Sequence, residues 1–128
     1  SYTHFTYNNL KLSTPSLKAG DDLTVEAEVR NTGEREGDEV VELYLTPPQN
    51  GLSPIHSLEG FTRIHLAPGE MRQVHFTLKP REMSLVDAQG NRSVEPGSYT
   101  VFMGGGQPTS VGGASQAFSI EGSKALPR

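Results

Sequence analysis

Phe61-Thr62-Arg63-Ile64-His65-Leu66, Ala67-Pro68-Gly69-Glu70 and Met71-Arg72-Gln73-Val74-His75-Phe76-Thr77-Leu78 follow one another without a break. Thr62, Ile64 and Leu66 recur at every second position, and so do Val74, Phe76 and Leu78. A period of two is that of a strand with one buried face. Between the two runs, Pro68 presets φ at the second position of a turn and Gly69 supplies a positive φ at the third. Pro80 closes the second run, because proline has no N–H to give to a ladder. The reading is two strands joined as a hairpin, with Phe76 interior and His65 and His75 facing outward.

The same period extends through the rest of the chain. Leu23, Val25, Ala27 and Val29 alternate with Thr24, Glu26, Glu28 and Arg30, and Asn31-Thr32-Gly33 punctuates the run. The strand from Glu39 to Thr46 carries Val41, Leu43 and Leu45 on one face and Val40, Glu42 and Tyr44 on the other. Apolar groups on both faces predict a central strand or one whose second face is also covered. Pro47-Pro48 ends it, and Leu52 to Leu58 reads as a loop. Short strands follow at Met83 to Asp87 and Arg92 to Glu95, then one with Tyr99, Val101 and Met103 on one face, then Ala117 to Glu121. At the front, Phe5, Tyr7, Leu10 and Leu12 change parity at Asn8-Asn9, which predicts a bulge. Gly104 to Gly113 reads as a flexible connection, and Arg81 to Ser84 as the one candidate helical turn.

These elements predict an all-β fold, an antiparallel β-sandwich of about seven to nine strands, with turn signals roughly every ten residues. Residues 1–121 make one domain, and 122–128 read as a frayed C-terminal tail. A chain of 128 residues can bury a core without staples. It has no cysteine, so disulfides and thiolate chemistry are excluded. Fifteen acidic residues against 11 basic ones give a formal charge of −4 with no block of either sign. That pattern gives no footprint for nucleic acid and no polybasic patch for a membrane. No apolar run approaches the roughly 20 residues of a membrane helix.

Taken in order, the motifs resemble one family. Ser1-Tyr2-Thr3-x-Phe5-x-Tyr7-x-Asn9-Leu10 comes first, followed by Val29-Arg30-Asn31-Thr32-Gly33 and Gly37-Asp38-Glu39-Val40-Val41-Glu42-Leu43-Tyr44. Leu58-Glu59-Gly60-Phe61 through Pro68-Gly69-Glu70, Val74-His75-Phe76-Thr77-Leu78, and Val94-Glu95-Pro96-Gly97-Ser98-Tyr99-Thr100-Val101 complete the series. Each motif alone is common in sandwiches; the ordered series is similar to the C-terminal fibronectin type III-like domain of family-three glycoside hydrolases. The resemblance implies a fibronectin type III or immunoglobulin-like topology. It implies that the catalytic aspartate and acid/base lie in domains outside this sequence. It also implies a parent chain of β-glucosidase or β-xylosidase type and an extracellular or periplasmic location.

The residues themselves offer little chemistry. Glycoside hydrolysis needs two carboxyl groups about 5 to 10 Å apart across a sugar. Glu26 and Glu28 share one strand face, with Cα atoms roughly 7 Å apart, as a solvated surface pair would. His65 and His75 lack a third metal ligand. No Gly-x-Ser-x-Gly elbow anchors a triad. Gly104-Gly105-Gly106 lacks the Lys-Ser/Thr of a phosphate loop. Asn91-x-Ser93 has the form of a glycosylation sequon. The expectation is therefore a non-catalytic domain with no cofactor and no metal. Its expected partners are the catalytic domains of the same parent chain. The alternative is a binding module for a polysaccharide or lignin. Tyr2 and Phe5 at the entry to the domain and Tyr44 on the second face of its strand are the candidate interface or polymer contacts, while Phe61 and Phe102 oppose the main apolar faces of their strands and parity leaves their burial open.

Overall fold

The computed structural model describes residues 4–48, 56–106 and 112–128. Tyr2 and the centres of the expected 52–58 loop and of the glycine-rich connection therefore lie outside the described residues. Among the described residues there are eleven strands. They are β1 (Phe5–Leu12), β2 (Ser16–Lys18), β3 (Leu23–Asn31), β4 (Gly37–Thr46), β5 (Ser57–Leu66), β6 (Met71–Leu78), β7 (Leu85–Val86), β8 (Arg92–Val94), β9 (Gly97–Gly104), β10 (Ala114–Glu121) and β11 (Lys124–Leu126). One sheet has the order β1-β3-β6, a second β2-β10-β9-β4-β5, and a third β11-β8-β7. Pairing is antiparallel throughout except for β2, which runs parallel to β10.

The core is the one that the alternation predicts. Leu23, Val25, Ala27 and Val29 of β3 are fully buried, and Val41, Leu43 and Leu45 of β4 face them from the second sheet. Burying a Val or Leu side chain is worth about 1.5 to 3 kcal/mol over leaving it exposed. β4 is indeed central, flanked by β9 and β5. The bulge at Asn8-Asn9 is present: the β1–β3 register shifts there, and Asn9 takes φ 55°. The expected helical turn forms as a 3-10 turn over Pro80–Met83, one residue earlier than the sequence placed it.

The hairpin is corrected. Its turn is as read, with Gly69 at φ 81° and the Glu70 N–H donating to Ala67 O at 2.9 Å. Its arms, however, do not pair with each other. β5 pairs with β4 in the second sheet, and β6 pairs with β3 in the first. The connection crosses between the sheets as an arch, so Leu66 and Leu78 enter the same core from opposite sides. Asn31, fully buried at the end of β3, fastens the arch. Its Nδ2 donates to Leu66 O at 3.1 Å and to Arg35 O at 2.8 Å, and its Oδ1 accepts the Gly33 N–H at 2.8 Å. Its backbone exchanges bonds with Gly69 and Glu70. The Asn31-Thr32-Gly33 and Pro68-Gly69-Glu70 motifs are thus two halves of one junction.

Three further expectations shift. Phe76 is half-buried against the core rather than enclosed. The residues after Gly122 are not frayed: β11 pairs with β8, and Arg128 Nη2 donates to Asn91 Oδ1 at 2.9 Å. Strand β2 also escaped the sequence reading. Both missed strands are three residues long, too short to display a period.

At the other end of the sandwich, Tyr99 is fully buried and stacks on Phe118 with ring centroids 5.5 Å apart. Its hydroxyl donates to Glu95 O, four residues upstream, at 2.6 Å. That bond is the tyrosine corner of immunoglobulin-like sandwiches.

Candidate interaction surface

The face of β4 that turns away from the core is built by register. Glu42 stands opposite Phe61, Val40 opposite Arg63, and Tyr44 opposite Leu58. These side chains share one face because Val41, Leu43 and Leu45, one residue out of phase, fill the core. The β4–β5 register shifts between Leu43 and Tyr44, which sets Glu59 aside as the bulged residue and returns Leu58 to this face.

Tyr44 does not project from the face. It is 7% exposed, with His56 edge-on at 6.1 Å and Phe102 tilted at 6.4 Å. Its hydroxyl donates to Glu42 Oε1 at 3.2 Å. Phe102, uncertain from parity, is buried beside it because β9 and the chain after it are glycine there. A Cβ on Gly104 would come within 2.8 Å of the Phe102 ring, and one on Gly113 closer still. Phe5 is half-buried against the core and pairs with Asn31. Of the three candidate contacts, then, Tyr44 is removed from display, Phe5 is partly covered, and Tyr2 lies outside the described residues.

The displayed aromatic group is one the sequence left open. Phe61 is 69% exposed, and its neighbours on the same face, Leu58 and Val40, are 46% and 38% exposed. The sequence signal was parity alone: Phe61 stands out of phase with Ile64 and Leu66. That signal could not distinguish a ring covered by a loop from a bare one.

A charged rim adjoins this strip. Arg63 Nε donates to Asp38 Oδ2 at 2.9 Å. The His65 ring lies between two carboxylates, with Nδ1 at 2.5 Å from Asp38 and Nε2 at 2.9 Å from Glu36. Both ring nitrogens can donate only as imidazolium. Bonds to Asp38 and then Glu36 accordingly raise the His65 pKa above its usual 6.5. Bonds from His65 and then Arg63 hold Asp38 below its usual 3.8. The His65 contribution is whole below about pH 6.5 and fades as pH rises through the folded pKa. The Asp38 contribution is whole above about pH 3.8 and fades as pH falls through its lowered value. Both groups are exposed, so the effect is small.

Elsewhere, Tyr7 donates its hydroxyl to Glu39 Oε2 at 2.7 Å, joining β1 of one sheet to β4 of the other. Burial followed by this bond raises the tyrosine pKa, and burial raises that of Glu39. A shallow groove lined by Lys11, Leu12, Ser13, Thr24 and Glu26 contains one carboxyl group, and glycoside hydrolysis requires two. His65 and His75 both face solvent, as parity predicted, on strands of different sheets. Among the described residues no three His, Asp or Glu side chains converge as a metal site.

Two sheets across a shared core and a tyrosine corner define an immunoglobulin-like sandwich, the class to which fibronectin type III domains belong. The chain belongs to the fibronectin type III-like domain family, whose characteristic pattern matches residues 39–107. It is 37% identical over 105 residues to a periplasmic β-glucosidase of Salmonella typhimurium, a match covering 81% of this chain and 14% of that protein. A β-xylosidase of Formosa agariphila is 39% identical over 105 residues, with the same coverage of 81% and 14%. In three dimensions the chain superposes on a β-glucosidase of Erythrobacter marinus with a TM-score of 0.80 at 34% identity, covering 92% of this chain and 15% of that one. It also superposes on β-glucosidase 3B of Thermotoga neapolitana with a TM-score of 0.82 at 28% identity, covering 99% and 17%. The chain thus spans about one-seventh of the length of the curated relatives it matches.

Proposed function

We propose that this domain is a non-catalytic accessory module that packs against the catalytic domains of a parent exo-glycosidase, of β-glucosidase or β-xylosidase type, and stabilises them. The observation that carries this reading is the strip of Leu58, Phe61 and Val40 on the outer face of β4 and β5. A ring as exposed as Phe61, backed by two aliphatic neighbours and rimmed by ion pairs, has the make-up of a domain interface: an apolar centre with a polar edge. The similarity of the chain to a small part of much longer glycosidases supports other domains of the same chain as the partner. The proposal includes an extracellular or periplasmic location, and a relative named as periplasmic supports it.

The polymer-binding alternative calls for a row of displayed rings to stack on sugar or lignin. Among the described residues of this face Tyr44 and Phe102 are buried and Phe61 is the one displayed ring, which favours packing.

The test is made in the parent enzyme. Phe61→Asp should lower its temperature of half-inactivation by several degrees, as losing an anchor worth about 2 kcal/mol would. The kcat on a small aryl glycoside should stay unchanged. The 128-residue chain by itself should match buffer in hydrolysing chromogenic glycosides, and should wash off insoluble cellulose, xylan and lignin. An unchanged inactivation temperature, together with retention on polymer that Phe61→Ala abolishes, would sink the packing reading and establish the binding module.

A further inference from the structure

Val40, Glu42, Phe61 and Arg63 form a two-by-two block on the outer face of β4 and β5. Glu42 is opposite Phe61, and Val40 is opposite Arg63. The two apolar side chains therefore occupy one diagonal of the block, and the two opposite charges occupy the other. Opposed residues stand about 5 Å apart and alternate residues along a strand about 7 Å apart.

This arrangement is self-complementary. A two-fold axis laid in the face along the Phe61–Val40 diagonal places Phe61 on Phe61 and Val40 on Val40 of a second copy. The same rotation projects each Glu42 to within about 3 Å of the other copy's Arg63 position, taking those spacings. The strands of the two sheets then cross at about 70°, near the orthogonal class of sheet packing. An isologous contact requires just such a patch, one that meets its own image with apolar groups matched and charges opposed.

The side chains are placed to use it. Phe61 is 69% and Val40 38% exposed, and the Arg63 side chain is 71% exposed. Arg63 meets Asp38 through Nε, and a guanidinium has further N–H groups to offer a second carboxylate. Glu42 Oε1 accepts the Tyr44 hydroxyl, and a carboxylate has capacity for more donors.

We propose that the 128-residue chain pairs with a second copy of itself through this block. A contact centred on four side chains per copy falls below the size of a stable interface, so the pairing is weak and reversible. It uses the same face as the docking proposed above and rests on that reading only in treating the face as uncovered when the domain stands by itself.

Sedimentation velocity of the 128-residue chain, from about ten micromolar to about one millimolar, tests it across the range where a weak dimer dissociates. The expected result is a reversible monomer–dimer equilibrium. Glu42→Arg or Arg63→Glu should weaken it by about tenfold or more, and the combined exchange should restore it to within about threefold. Phe61→Ala should abolish it, and thermal melts of each variant confirm that the fold is retained. A monomer throughout the range overturns the pairing. So does a combined exchange that associates no better than the single variants, or an association indifferent to all of them. None of these outcomes touches the parent-enzyme measurement, and an unchanged parent inactivation temperature leaves the sedimentation result standing.

Discussion

Asn31 is the one fully buried polar side chain among the described residues. Its position at the end of β3 continues the parity of Leu23 to Val29, so an apolar residue would be expected there. A polar side chain is tolerated because each of its polar atoms is answered: Leu66 O and Arg35 O accept from Nδ2, and the Gly33 N–H donates to Oδ1. Replacing it would leave those backbone groups without their partner at the junction where β3 leaves the first sheet and the β5–β6 arch returns to it. Asn31→Ala is expected to cost roughly 2 to 4 kcal/mol, the sum of a few unpaired buried groups. Denaturant melts would show this as a lower midpoint with an unchanged slope. A cost below about 0.5 kcal/mol, the scale of a neutral surface change, would mean that water replaces the side chain and that the junction is held by the backbone.

The arch is the clearest lesson among the elements. Ala67-Pro68-Gly69-Glu70 encodes a reversal, and the reversal forms. Turn chemistry fixes the local path of the chain, and it leaves open whether the two arms bond to each other or to strands elsewhere. β5 and β6 each find a long partner, β4 and β3, and the arch lets both present their apolar face to the same core. The C-terminal strand makes the complementary point. Lys124, Ala125 and Leu126 pair with Val94, Ser93 and Arg92, and Leu126 leans on the core. Ending the chain after Gly122 should therefore destabilise it by roughly 1 to 2 kcal/mol, from one partly buried leucine and a few exposed hydrogen bonds. Thermal melts of the shortened and full chains decide this; equal midpoints would return the segment to the status of a tail.

At the scale of the whole molecule, a single core unites the three sheets. Val94 of β8 and Met83 of the 3-10 turn join the cluster built by the two larger sheets, and Tyr7 hydrogen-bonds Glu39 across the sandwich. There is no cysteine, so no disulfide contributes to cooperativity. Unfolding should be a single transition, with far-UV circular dichroism and tyrosine fluorescence giving coincident midpoints. The probe is well placed, since Tyr99 is fully buried and the chain has no tryptophan. An earlier transition in one signal would mean that β11-β8-β7 melts as a separate unit.

By itself the sequence determined the all-β class, the buried faces of β3, β4 and β9, the bulge at Asn9 and the positions of the turns. Each of these follows from side-chain period or from the backbone limits of Pro, Gly and Asn, which act over a few residues. The ordered motifs also carried the family resemblance, which the match to residues 39–107 bears out. Tertiary structure alone decided which strands pair, and so turned a hairpin into an arch and gave β2 and β11 their existence. It also decided display. Tyr44 and Phe61 both stand out of phase with their core-facing neighbours, yet one is buried beneath His56 and Phe102 while the other is bare. The difference lies in what packs beside each ring, and the Phe102 that packs beside Tyr44 comes from a strand distant in sequence, which no local period can register.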